Sequence, residues 1–211
     1  MQWFGKVNGA VKTLVFISAM VNMADGFLSP IFAIFVTERI AGGSVAVVGY
    51  AVATYWLIKS VIQLPIARFL DTTDGERDDY YAMIVGGVLF VASPLLYLIV
   101  TKPLELYAVQ AFTALAGSLF VVPWASIFTR HVDKFRIGFE WSLNSSALGF
   151  GIMATSALGG YLGNRFGFDL VFVLASAFNA LGVAAMFILG RYIKARTRLE
   201  RAFPEQHKHT K

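Results

Sequence analysis

VKTLVFISAMVNMADGFLSPIFAIFVT, residues 11–37, is the stretch that decides the fold. A helix needs about 20 apolar residues to cross the hydrocarbon core of a bilayer, and this run is long enough. Asp25 sits near its centre, with Asn22 about one turn earlier. Insertion scales set a central Asp at about 2.5–3.5 kcal/mol against crossing, so such an acid faces a helix bundle or a water-filled cavity. Two readings stay open: Asp25 pairs with a neighbouring helix, or it serves transport or ion coupling. Pro30 follows, where its ring removes one helical hydrogen bond and bends the span.

The composition agrees with a membrane protein. The 211 residues are 57% hydrophobic and 15% charged, and the mean hydropathy is +0.64. A soluble domain is nearer half apolar and a quarter charged. The 19 glycines suit close helix packing in lipid. The absence of cysteine excludes a disulfide framework and a thiolate metal site. The N-terminal MQWFGKVNGAVKT carries basic residues but leads into a span too long for a signal-peptide core, without an A-x-A-like cleavage site. It reads as the start of an uncleaved first helix.

Working outward, the pattern predicts six spans: 11–37, 45–69, 80–100, 104–128, 141–162 and 168–193. Short polar breaks separate them, so sequential helices are antiparallel neighbours. One side collects Lys6, Lys12, Arg68, Arg77, Arg130, Lys134, Arg136 and seven cations of the tail, fourteen in all. The other side has Arg39, Lys102 and Arg165. The positive-inside rule then places both termini in the cytoplasm, as for a multi-pass protein of the cell (inner) membrane. Residues 1–193 form the bundle, and residues 194–211 form a basic tail suited to anionic lipid headgroups. The net charge of +5 is not a nucleic-acid signal, because the cations flank spans.

The second span, VAVVGYAVATYWLIKSVIQLPIARF, holds the other intramembrane charge, Lys59, with Gln63 one turn away on the same face. Antiparallel spans bring Asp25 and Lys59 to similar depth, where an ion pair would offset part of both insertion costs. A snorkelling lysine is the alternative, but a midplane stem struggles to reach either interface. Asn22, Tyr55, Gln63, Gln110, Trp124 and Asn144 are expected around the two charges as a substrate or ion pathway. The break LDTTDGERDD crowds Asp71, Asp74, Glu76, Asp78 and Asp79 together with Arg68 and Arg77. Acids there cap the next helix or latch a cytoplasmic gate, with Asp71 and Arg77 as the gate residues. The third span has no charge and reads as support. The fifth, with Gly149, Gly151, Ala154, Ser156, Gly159 and Gly160, reads as a close-packing helix.

GFLSPIFAIFVTER (26–39) and GSLFVVPWASIFTR (117–130) share a Gly, a Pro and an apolar stretch ending in Thr and Arg. Two three-helix units of opposite orientation would be inverted repeats, as in transporters. Three stretches then carry a family resemblance. ALGGYLGNRFGFDLVF (157–172) resembles the junction of the fifth and sixth helices of the major facilitator superfamily. GFGIMATSALGG (149–160) is similar to the family's fifth-helix glycine motif, with Thr155–Ser156 where the family has Gly-Pro. ARFLDTTDGER (67–77) resembles the loop motif between the second and third helices; Asp71 matches its acid, while Ala67, Thr72 and Asp74 depart from it. Gln110 stands where many proton-driven members have an Arg.

The resemblance implies an all-α integral membrane protein, six helices as two inverted three-helix repeats, one half of a major facilitator fold. It implies a half-size secondary transporter of a small-molecule solute, with the lipid bilayer as its medium and a second copy completing a homodimer. Met1 and the long tail favour a natural half over a fragment. A heterodimer is the runner-up, and a non-transporting membrane partner is a further alternative. An intramembrane hydrolase would need a nucleophile and base, or metal ligands, at membrane depth. His131, His207 and His209 all lie outside the predicted spans, and G-x-S-x-G and H-E-x-x-H are missing. No enzyme activity, catalytic residue, metal or cofactor is therefore expected.

Overall fold

In lipid every backbone polar group needs a partner within the protein, and a helix supplies its own. The apolar runs accordingly fold as helices. The computed structural model describes residues 7–72 and 76–202, with side chains described up to residue 193. Its helices are α1 (Gly9–Leu28), α2 (Phe32–Arg39), α3 (Val45–Thr72), α4 (Glu76–Leu96), α5 (Pro103–His131), α6 (Ile137–Phe166) and α7 (Phe168–Ala202). A short 3-10 turn, Tyr97–Ile99, extends α4. Five of them, α1, α3, α4 with its turn, α5 and α7, are long and apolar enough to cross a membrane. α6 matches them in length at 30 residues, but its small and polar residues keep it outside that group.

The first run differs from the single span expected. It stops at Leu28 and restarts at Phe32. Pro30 has no N–H, so the Gly26 carbonyl four residues earlier loses its helical donor. Ser156 of α6 replaces it, its Oγ donating to the Gly26 carbonyl at 3.1 Å. Pro94 lies inside α4, which continues through it to Leu96, and likewise strands the Phe90 carbonyl. Here Asn179 of α7 donates from Nδ2 at 2.8 Å, and Ser176 donates to the neighbouring Val91 carbonyl at 2.7 Å. α7 continues past residue 193 to Ala202, so the start of the basic tail is helical. Its last nine residues, with His207 and His209, lie outside the described residues, as do Lys6 and Asp74.

Packing follows a simple scheme. α1 lies against α6 and α7, α5 lies against α3 and α4, and α4 lies against α7. Exchanging α1, α3 and α4 for α5, α6 and α7 maps these five pairs onto themselves; α6 also lies against α7. Glycines permit the closest approaches. A Cβ on Gly159 would meet the Phe27 backbone, and one on Gly86 would lie 2.6 Å from the Phe120 nitrogen. The core has two parts. One surrounds Leu14, Ile17, Met83, Phe120, Phe128 and Met186; the other surrounds Phe27, Phe35, Tyr97, Leu106 and Phe172. α3 is exposed or half-buried along its length, with only Ala51 and Leu70 buried.

Asn179→Ala is expected to lower stability by about 1–3 kcal/mol, the usual cost of a stranded buried polar group. Adding Pro94→Ala, which returns an N–H to the Phe90 carbonyl, should recover most of that loss in a thermal or denaturant unfolding series. Equal loss in the single and double variants would show that Asn179 acts through something other than this carbonyl.

Candidate functional site

A cavity of about 500 Å³ opens where α1, α3, α4, α5 and α7 meet. Its position follows from the helix breaks. α1 contributes Asp25, Leu28 and Ser29, the last turn before Pro30, and α2 contributes Phe32. α4 contributes Phe90, Ser93 and Pro94, with Tyr97 just beyond. α3 supplies Val52, Tyr55, Trp56 and Lys59; α5 supplies Gln110 and Thr113; α7 supplies Asn179. Phe90 belongs to one part of the core and Tyr97 to the other, so the cavity adjoins both.

The structure thus gathers four of the residues singled out in the sequence: Asp25, Tyr55, Lys59 and Gln110. Asp25 is exposed, Tyr55 and Lys59 are half-buried, and Gln110 is buried. Lys59 Nζ donates to the Tyr55 hydroxyl at 3.2 Å and lies 5.0 Å from the centre of the Trp56 ring and 5.3 Å from that of Tyr55. Cation–π attraction of this kind is worth about 0.5–2 kcal/mol, more as water is removed. Gly117 of α5 leaves the room: a Cβ there would stand 3.2 Å from the Tyr55 hydroxyl and 3.9 Å from Lys59 Cε. Asp25 and Lys59 are near enough for their charges to act on one another. Even so, among the described residues no direct ion pair joins them.

Four other sequence candidates lie outside the cavity lining. Asn22 donates to the Ser18 carbonyl at 2.8 Å, one turn before Asp25. Gln63 is half-buried on α3. Trp124 donates from Nε1 to the Leu14 carbonyl at 3.1 Å and stacks on Phe128, with Trp141 edge-on to both. Asn144 is buried near the start of α6, and its Oδ1 has no partner.

Sequence reasoning passed over Trp56, Ser93, Thr113 and Asn179, and it took the third span for a support. The signal lay in the prolines. Pro94 strands a carbonyl inside an apolar span, and a buried Asn on another span is the natural donor for it.

At the other end of α4 the acids of the break enter its first turn, where the helix dipole favours them. Asp79 is 2% exposed; its Oδ2 accepts from Arg130 Nη1 at 2.6 Å and from the Ser126 hydroxyl at 3.3 Å, tying α4 to α5. His131 Nδ1 lies 3.0 Å from the Ile127 carbonyl and 3.7 Å from Glu76 Oε1. Asp71, in the last turn of α3, and Arg77, in the first of α4, are both exposed. Among the described residues no cluster of His, Asp and Glu is arranged to hold a metal ion.

The model of the Major Facilitator Superfamily matches residues 14–210, nearly the whole chain. The chain belongs to the major facilitator superfamily. It is accordingly a multi-pass membrane protein of a transporter family, and the cavity lies inside its family-matched bundle. No curated protein matches the chain.

Proposed function

We propose that the chain is a half-size secondary active transporter that moves a small solute by alternating access, with Asp25 and Lys59 as the polar centre of its path. One observation carries this reading: both intramembrane charges line one cavity, about 500 Å³ in volume, beside the helix break at Pro30 and the proline inside α4. Intramembrane charges are costly and mark substrate or ion pathways. Discontinuous helices at such a site are how transporters offer backbone groups to a bound solute. On this reading α6 is the fifth of six spans, the two three-helix units are inverted repeats, and both termini are cytoplasmic. The self-mapping pattern of helix neighbours and the charge bias support it.

Asn22 and Gln63 each lie one turn from a charge, toward the cytoplasmic end, and extend the path inward. Trp124 and Asn144 frame its inner end. Asp71, with Arg77, latches the cytoplasmic gate, next to the pair of buried Asp79 and exposed Arg130 that holds α4 on α5.

A single bundle provides one wall for a path. The exposed apolar faces of α3 and α6, including Trp56, Leu57, Leu64, Phe150, Met153 and Tyr161, leave space for a second. Two copies related by an axis along the membrane normal keep the same orientation, which suits a homodimer. A different half in a heterodimer meets the same geometry.

In proteoliposomes, Asp25→Asn and Lys59→Ala should each cut solute uptake by about tenfold or more, the scale expected when a charged contact is lost. Uptake at wild-type rates in both variants removes the two residues from the path. Mass measured in a native membrane mimetic should be that of two copies, and a tandem fusion with both copies N-in should transport. A monomer active at every dilution contradicts the dimer.

A further inference from the structure

We infer that the cavity takes a small zwitterion, a molecule with one ammonium, one carboxylate and an apolar body, which the transport reading above makes its cargo. The first observation is the unclosed pair. Asp25 and Lys59 face one cavity with opposite charges, yet no ion pair joins them among the described residues. The Asp25 carboxylate accepts no hydrogen bond from the described residues, and Lys59 commits one donor, to Tyr55. An ammonium has three donors and a carboxylate about four acceptor sites, so both groups keep capacity for a ligand.

The second observation is independent of the charges. Asn179 is 3% exposed and lines the same cavity, and its Oδ1 has no partner, although its Nδ2 is fixed on the Phe90 carbonyl. That bond fixes the amide at the edge of the cavity and leaves its oxygen unpaired. The third is the wall. Phe32, Tyr55, Trp56, Phe90 and Tyr97 surround the space with rings.

Electrostatics chooses among ligand classes. A plain cation would be drawn to Asp25 and repelled by Lys59. A plain anion would meet the reverse. A neutral solute would leave both charges unmatched where the dielectric is low. A zwitterion matches both: its ammonium goes to Asp25. Its carboxylate goes to Lys59, and its apolar body to the rings. No net charge then enters the membrane with the ligand.

Three probes separate these cases: phenylalanine, phenethylamine, which lacks the carboxylate, and 3-phenylpropionate, which lacks the ammonium. Calorimetry on the full chain in lipid nanodiscs should show phenylalanine binding at least about tenfold tighter than either analogue, the worth of one charged hydrogen bond. Asp25→Asn should bring phenylalanine down to the affinity of 3-phenylpropionate, and Lys59→Met down to that of phenethylamine. An analogue that binds wild type as tightly as phenylalanine overturns the inference, and so does binding of none of the three. The comparison in wild type stands even if a variant fails to fold. Phenylalanine that binds without counterflow in proteoliposomes overturns the transport reading and keeps the site. Uptake of another solute without phenylalanine binding does the opposite.

Discussion

A proline inside a membrane helix strands the carbonyl four residues before it, and hydrocarbon offers no water to satisfy it. Much of this bundle is arranged around that constraint. Pro30 strands the Gly26 carbonyl, and α6 answers with Ser156; Pro94 strands the Phe90 carbonyl, and α7 answers with Asn179. These bonds fix which helices lie side by side and in what register. The cavity lies beside both sites, the break at Pro30 and the proline inside α4.

Placing charges there is a consequence of the same geometry. A broken helix already exposes polar backbone, so a carboxylate on its last turn adds to a polar patch and does not create one. Asp25 stands on that turn, before Ser29 and Pro30. Lys59 is held across the space by Tyr55 and Trp56, and Gly117 keeps α5 thin enough to leave both in place. Away from the cavity, the buried Asp79 at the α4–α5 end is satisfied within the protein by the exposed Arg130 and by Ser126.

Single residues of unusual type were legible in the sequence. Asp25 and Lys59 stand out because a charge inside an apolar run has few explanations, and the family match agrees with the glycine and loop motifs that pointed to it. Helix positions were legible too, since hydropathy fixes them. The break at Pro30 was visible only as a bend, because the sequence does not say whether a neighbouring hydroxyl will donate to the freed carbonyl and let the helix stop. Asn179, Ser93 and Thr113 were silent for a related reason. One Asn, Ser or Thr in a span is common and usually bonds its own helix, as Ser93 does to the Leu89 carbonyl at 2.9 Å. Its part in a cavity depends on partners from helices far away in sequence. Trp124 likewise takes its place from partners distant in sequence, the Leu14 carbonyl and an aromatic stack.

The central claim is that the space between Asp25 and Lys59 is a water-filled path within the membrane. The chain has no cysteine, so single cysteines can be introduced without background. Val52→Cys and Thr113→Cys line the cavity, whereas Val88→Cys and Phe187→Cys sit on exposed apolar faces outside its lining. In nanodiscs, open from both sides, a charged, membrane-impermeant thiol reagent should label the first two at least about tenfold faster than the last two, because the thiolate is the reacting species and needs water. Slow labelling of Val52→Cys and Thr113→Cys, no faster than of the outward positions, would contradict the account.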